Sequence, residues 1–311
     1  MEKSIYKTKK WADKFIHDST FDAIEREKIG IIESSVPPDV RTALDVGCGR
    51  GHVYRRLKGL NGVKAFAVDL SPEALKKLQD GCVSFADVKD LPFRDGEFDL
   101  VLAADVIEHL ENGYFSRGVA ELARVSRKYI MIISPNRDAF YWPVALCAEC
   151  GKEFNIYGHH RTIDSGTIKK IFPPDSFEIL KIGTFGPGRK IRPRCLARMA
   201  RTRGRVYSKE AVICPRCSGT SFSPPDRNIV EKFIGGFACG LFRFMDAVIP
   251  EFFRPKCEIY VLLRKKVKLH GLTAAASVFS GFRSNRGAES RPESNSSTLS
   301  QTWLSGGGVK T

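Results

Sequence analysis

At 311 residues the chain is longer than one small core usually organises, and 42% hydrophobic with 27% charged residues excludes a disordered, collagenous or disulfide-knotted polypeptide. The first 145 residues carry equal numbers of acidic and basic side chains, so the whole formal charge of +15 falls on residues 146–311. No apolar run follows the lysines of MEKSIYKTKKWADKF, so no secretory signal and a cytoplasmic location are expected; residues 229–250 are interrupted by Glu231, Lys232, Arg243 and Asp246, against a transmembrane span.

Residues 10–35 read as a helix: Trp11, Phe15, Phe21, Ile24 and Ile31 recur on a polar background that ends at Pro37-Pro38. Residues 1–40 are therefore expected to form a helical lid or edge. An alternation follows, with strands at 42–48, 64–70, 82–86, 98–104 and 128–134 and helices at 52–59, 72–80 and 114–126. Runs such as FDLVLAA and KYIMIIS have the continuous apolarity of strands buried on both faces, and their alternation with helices gives an α/β fold with a doubly wound, mostly parallel sheet. The pattern lapses after Asn136. It resumes with a helix at 162–172, a strand at 177–185 and a last strand at 257–266, for seven strands in all. The expected main domain is residues 41–146 with 160–186 and 257–268. Residues 147–159 and 187–256 are an insertion, and the Ser-, Asn- and Gly-rich residues 271–311 are expected to be a disordered tail.

The segment ALDVGCGRGHVYRRL at 43–57 is strand, glycine loop and helix. Gly47, Gly49 and Gly51 let the backbone turn sharply and approach a ligand, while the helix that follows offers free amides. The spacing is G-x-G-x-G, and His52 stands where a dinucleotide fingerprint has its third glycine, which argues against a pyrophosphate ligand. Asp69 closes the second strand 22 residues after Gly47, where a carboxylate accepts both hydroxyls of a ribose. Asp87 follows the third strand, placed to reach an adenine amino group with Val88 packed nearby. Asp45 precedes the loop, near the charged amino end of such a ligand.

Together DVGCGRG, AVDLS, FADVKDLPF and DGEFDLVLAADVIEHL resemble the motif set of class I S-adenosylmethionine-dependent methyltransferases, in particular the type 11 branch, over residues 40–136. The resemblance implies a Rossmann-like domain in which Asp45, Gly47, Gly49 and Gly51 hold the methionine part of S-adenosylmethionine, Asp69 and Leu70 the ribose, Asp87 and Val88 the adenine, and the backbone at Ala104 the sulfonium. It also implies methyl transfer to a small-molecule, lipid- or sugar-type acceptor. A sulfonium is already a strong methyl donor, so aligning the nucleophile and excluding water are the main requirements. For a hydroxyl acceptor the expected bases are His109 and His160, with His159 beside them.

Nine cysteines in a reducing compartment point to buried thiols or metal ligands rather than disulfides. Cys147 and Cys150 in CAECGKEF, and Cys214 and Cys217 in CPRCSG, form two C-x2-C turns of zinc-knuckle type, and four thiolates fit one tetrahedral, structural zinc. The 63 residues between Cys150 and Cys214 require the fold to bring the knuckles together. Buried or redox-active thiols, or a mixed site using His159 or His160, are the alternatives. Cys48, Cys82, Cys195, Cys239 and Cys257 lack knuckle spacing and read as packing residues. The stretch 147–172 also resembles a segment found after the fifth strand in some bacterial and archaeal type 11 methyltransferases, which implies that the metal braces a cap over the acceptor pocket.

A second reading rests on Asp105-x-x-Glu108-His109 with His159 or His160. This set resembles the divalent-ion site of small-RNA 3′-terminal 2′-O-methyltransferases, although that family has Glu where Asp105 stands. Residues 189–209 hold nine Lys or Arg and no acid, a run suited to phosphates of RNA. With residues 229–250 the same run suits peripheral contact with an anionic membrane, while a solvated loop and a core helix are the plainer expectation. A third reading is a zinc-containing nucleic-acid-binding protein without catalysis, marked by salt-sensitive binding that gains nothing from the cofactor.

Overall fold

Uninterrupted apolar runs end up in the middle of the sheet, where both faces must be covered. In the computed structural model, which describes residues 22–137 apart from 77 and 79, 144–201 apart from 192, 213–222 and 228–266, seven strands form one sheet. They are β1 (Thr42–Val46), β2 (Lys64–Asp69), β3 (Val83–Phe85), β4 (Phe98–Ala104), β5 (Ser126–Pro135), β8 (Phe177–Gly188) and β9 (Lys256–Lys265), in the order β3-β2-β1-β4-β5-β9-β8. β1 to β5 pair in parallel, and β9 runs antiparallel between β5 and β8. The expected seven-stranded, mostly parallel sheet is present.

Alternate residues of the central strands feed two apolar layers. Leu44, Val46, Val101 and Ala103 face one, closed by Val119, Leu122 and Val125 of α4 (Asn112–Val125) and by Ile168 of α5 (Ser165–Ile171). Ala43, Ala65, Leu100 and Leu102 face the other, closed by Ile32 of α1 (Asp22–Ser35) and by Val53, Tyr54 and Leu57 of α2 (His52–Lys58). The predicted helix at 72–80 is confined, among the described residues, to α3 (Pro72–Leu75), where the Ser71 hydroxyl caps the Ala74 amide at 3.3 Å. Residues 10–21 of the predicted first helix and the predicted tail at 271–311 lie outside the described residues.

Between β5 and β9 the chain forms a hairpin and a short helix that the sequence pattern does not announce, and the helix expected within 229–250. β6 (Val144–Leu146) and β7 (Glu153–Asn155) make a two-stranded hairpin. Part of the basic run forms α6 (Arg194–Arg201), and residues 202–209 lie outside the described residues. α7 (Ile229–Val248) starts with a capping box in which Asn228 and Glu231 exchange side-chain to backbone hydrogen bonds at 2.9 and 3.2 Å. Ala197 and Ala200 of α6 pack on Ala238, Cys239 and Phe242 of α7. Cys195, expected as a packing residue, is instead exposed, because it lies about 160° around α6 from Ala197. Cys48, Cys239 and Cys257 are buried, and Cys82 is half-buried.

β1 and β4 are pinned at their base by Asp99, whose carboxylate accepts from the amides of Arg41 (2.9 Å) and Thr42 (3.2 Å) and from the Arg127 guanidinium (2.6 Å). Burial alone would raise its pKa; these donors override it and hold the carboxyl at about 2. A depressed folded-state pKa stabilises above the unfolded value near 3.9 and is lost as pH falls toward 2. Asp99→Asn is therefore expected to lose on the order of 2 kcal/mol at neutral pH and to flatten the acid limb of the denaturation curve between about pH 4 and 2. Urea melts across that range measure both.

Candidate functional site

The chain winds outward from β1 to β2 and β3 and then crosses back to β4 on the other side of β1, and the crevice this reversal opens at the carboxyl ends of the strands is the usual ligand position of such sheets. A cleft of about 1210 Å³ lies there, walled by the glycine loop, the ends of β2 and β4, and one face of α1. Val68 shapes the loop: its carbonyl accepts the amides of Gly47 (2.8 Å) and Cys48 (3.0 Å). Gly47, Gly49 and Gly51 have φ of +75°, +49° and +73°, a backbone region other residues enter at a cost. A Cβ on Gly47 would strike Val106 at 2.5 Å, whereas one on Gly49 would meet nothing within 4 Å and project into open space. Gly51 serves the chain rather than the cleft: it begins α2, lies against Leu78 and does not line the cavity.

Asp45, Asp69, Leu70, Asp87, Val88 and Ala104 all line the cleft. Asp69 receives the Gly49 amide on Oδ2 and the Ser71 amide on Oδ1, both at 2.7 Å, and each oxygen keeps a lone pair for a further donor. Burial raises its pKa. Asp45 is buried, and its Oδ2 has no hydrogen-bond partner among the described residues. Burial, then the neighbouring Asp69, push its carboxyl up to about 8. The Asp87 carboxylate faces the Lys89 ammonium at 3.1 Å.

Sequence reasoning missed Lys28. It is buried in α1, with its ammonium 3.0 Å from Glu25 and 2.5 Å from Asp105, which itself holds a φ of +56°. Burial opposes the charge, but Asp105 and Glu25 outweigh it and raise the pKa. The signal was present: Lys28 sits four residues after Ile24 and four before Ile32, on the apolar stripe of its helix.

The other wall joins Glu108, His109 and His159, whose potential ligand atoms lie within 4.8 Å of one another. The residues after β7 dock on the turn after β4: the His160 amide donates to the Glu108 carbonyl at 2.9 Å, and His109 Nδ1 lies 3.3 Å from the Gly158 carbonyl. The rings of His109 and His159 meet edge to face at 4.9 Å. His109 and His159 line the cleft; His160, expected as a catalytic base, does not, its amide being held on the Glu108 carbonyl. Burial, then His159, lowers the His109 pKa to about 3, so the ring is neutral and a weak base. Burial, then Asp105, raises Glu108 well above the carboxylate range. Its Oε2 accepts from Ser134 at 3.0 Å, while Oε1 has no hydrogen-bond partner among the described residues.

The four knuckle cysteines also converge. Cys147 and Cys217 sulfurs are 3.5 Å apart, as are those of Cys150 and Cys214, and all four lie within 4.8 Å. A tetrahedral zinc with bonds of about 2.3 Å sets its sulfurs about 3.8 Å apart. Each C-x2-C turn closes alike, with the Gly151 amide on the Cys147 carbonyl and the Ser218 amide on the Cys214 carbonyl, both at 2.9 Å. Pairing of Cys147 with Phe222 carries one knuckle to the other across the long sequence gap. The Lys152 amide lowers the Cys150 thiol to about 7.

Residues 44–131 match the family described as a methyltransferase domain. Ajmaline N-methyltransferase of Rauvolfia serpentina is 34% identical over 109 residues, 32% of this chain and 38% of that protein. The mitochondrial arginine-hydroxylase NDUFAF5 of Danio rerio is 34% identical over 104 residues, 31% of this chain and 32% of that protein. The chain thus spans about a third of the length of these curated relatives. A solved SAM-dependent methyltransferase from Archaeoglobus fulgidus aligns with 81% of this chain and 99% of its own at 19% identity, with a TM-score of 0.48.

A cation bound beside Asp45 favours the ionised carboxylate, so binding below about pH 8 releases a proton. Calorimetric affinity for S-adenosylmethionine should rise from about pH 6 to about 8, by at most ~10-fold per unit. Asp45→Asn should bind more weakly and lose that slope. A flat wild-type profile contradicts the assignment.

Proposed function

We propose that this chain is an S-adenosylmethionine-dependent methyltransferase acting on a small-molecule, lipid- or sugar-type acceptor. The observation that carries the reading is the buried, unpartnered Asp45 oxygen beside a positive-φ glycine loop, within the stretch that matches a methyltransferase domain. The residues fit the cofactor. Asp45 offers a carboxylate to an ammonium, Gly49 leaves room where a side chain would intrude, and Asp69 has acceptor capacity for hydroxyls at the next strand end. Leu70, Asp87, Val88 and the Ala104 backbone complete the wall against which a nucleoside would lie. S-adenosylmethionine, when bound, supplies an electrophilic methyl group. The chain's task is then to orient a nucleophile and keep water out. α1 closes the crevice, held by Lys28 on Asp105. His109 and His159 present imidazoles to the acceptor side, and with a pKa of about 3 His109 suits a hydrogen bond to the acceptor better than removal of its proton.

The cysteine cluster is proposed to hold one structural zinc through Cys147, Cys150, Cys214 and Cys217. Four thiolates leave no open coordination position, so this metal would brace the hairpin rather than take part in the reaction. A second reading, metal-dependent RNA 2′-O-methylation, is favoured by the Glu108, His109 and His159 cluster inside the cleft.

A screen with radiolabelled S-adenosylmethionine over lipid extracts, glycans and RNA, with and without magnesium, separates the readings. Label in lipid or small-molecule pools without added magnesium is expected. Magnesium-dependent label at RNA ends would transfer the proposal to the second reading, and salt-sensitive RNA binding with no labelling would favour the non-catalytic one. Asp69→Ala should weaken cofactor binding at least ~10-fold, the cost of about one charge-assisted hydrogen bond, with folding intact by circular dichroism. Elemental analysis is expected to give about one zinc per chain, lost in Cys214→Ser with Cys217→Ser. Zinc retained by that double variant would refute the four-thiolate site.

A further inference from the structure

Nine of the thirteen large hydrophobic residues exposed on the described surface fall between residues 229 and 253. On α7, Ile229, Val230, Phe233, Phe237, Phe244 and Val248 share an arc of roughly 100°. The opposite face, with Ala238, Cys239 and Phe242, is the one packed on α6. The short 3-10 turn after the helix adds Phe252 and Phe253, stacked with ring centroids 4.2 Å apart. The five phenylalanines of this patch are 61–78% exposed, which amounts to on the order of 600 Å² before the aliphatic residues are added. The largest apolar patch on an ordinary monomer is about 300–600 Å² in total, so this one exceeds what a solvated surface carries.

The exposed charges bordering the α7 arc are basic, and the acid beside the Phe252-Phe253 turn, Glu251, accepts the Gly188 amide. Lys232 and Arg243 are exposed along one border of the apolar arc. Of the acids of α7, Glu231 is engaged in the capping box and Asp246 is paired with Lys190 at 3.6 Å. α6, against which α7 lies, comes from the run of nine Lys or Arg without an acid. Among the described residues no helix is long and apolar enough to cross a membrane.

We propose that α7 and the Phe252-Phe253 turn are a docking surface for an anionic lipid membrane, with the phenylalanines inserted at the headgroup level and the Lys and Arg side chains set against lipid phosphates. A second copy of the chain fits poorly, since mating the patch to itself brings Lys232 and Arg243 against their equivalents on molecules that each carry +15. The patch also leads to the cleft. Glu251, next to Phe252, accepts the Gly188 amide at 3.2 Å, and Pro187, Arg189, Cys257 and Glu258 on either side of that contact line the cavity. A membrane held at α7 would thus bring lipid headgroups to the mouth of the crevice. The docking claim itself does not rest on methyl transfer.

The test is flotation of the full chain with vesicles of phosphatidylcholine alone and of phosphatidylcholine with phosphatidylserine. Binding is expected only to the anionic vesicles and is expected to fall as salt rises. Phe233→Ser with Phe237→Ser and Phe244→Ser should lower partitioning at least ~10-fold with an unchanged melting temperature, because all three side chains are exposed in the free protein. Lys232→Glu with Arg243→Glu, which alters no apolar contact, should lower it by at least about 10-fold. Absence of binding, equal binding to neutral vesicles, or indifference to both variants would overturn the proposal. So would a lipid-free dimer by light scattering that the phenylalanine variant dissolves. Loss of vesicle binding with methyl transfer to soluble acceptors intact, or the reverse, separates a failure of this inference from a failure of the proposed activity.

Discussion

A single carbonyl sets the geometry of the cleft. Val68 O, at the end of β2, accepts the amides of both Gly47 and Cys48, bending the chain out of β1 just where it would otherwise continue along the sheet. That bend requires positive φ at Gly47, and it leaves Asp45 and Asp69 on adjacent strand ends, with Asp69 returning the contact by accepting the Gly49 amide. β1 must be an interior strand for this to work, flanked by β2 on one side and β4 on the other. The layers that bury its two faces are therefore what hold the carboxylates in place.

The cost of the arrangement is a concentration of acid. Asp45, Asp69, Asp105, Glu108 and Glu25 share one cleft, where burial raises the pKa of Asp45, Asp69 and Glu108 and a neighbouring acid adds to the rise at Asp45 and Glu108. Lys28 supplies a counter-charge from α1. A lysine on the apolar stripe of α1 costs desolvation, which the ion pairs with Asp105 and Glu25 offset. α1 is thus held by the cleft's own surplus of negative charge. A cationic ligand that neutralised Asp45 would relieve the same surplus from the other side.

The strands and their order follow from apolar runs that only a sheet covered on both faces can hide, and FDLVLAA could be placed at the centre from its composition alone. The strand-end aspartates were legible for the same reason: a carboxylate at the end of such a run has nowhere to go but the crevice. The choice between His159 and His160 was not. Whether His159 or His160 enters the cleft depends on how residues 156–160 fold back onto the turn after β4, and that depends on tertiary hydrogen bonds such as His160 N–H to Glu108 O. α7 hid differently. Its sequence has the apolar content of a core helix, and only the position of α6 decides which face is buried and which is left to solvent.

The hairpin β6–β7 raises a question of size. Two strands of three residues, with Ala145 and the following Ile156 buried and Phe154 and Phe222 against them, bury too little to be stable alone. Yet the chain leaving β7 carries Tyr157 and His159 to the cleft wall, and sets the Gly158 carbonyl 3.3 Å from His109 Nδ1. Something else must hold the hairpin, and what lies at its turn is the four-cysteine cluster, tied through Phe222 back to Cys147. A metal bound there, as proposed, would close a loop from Cys150 to Cys214 and fix the hairpin at its far end. The sulfurs would then govern the acceptor side of the cleft through the position of His159.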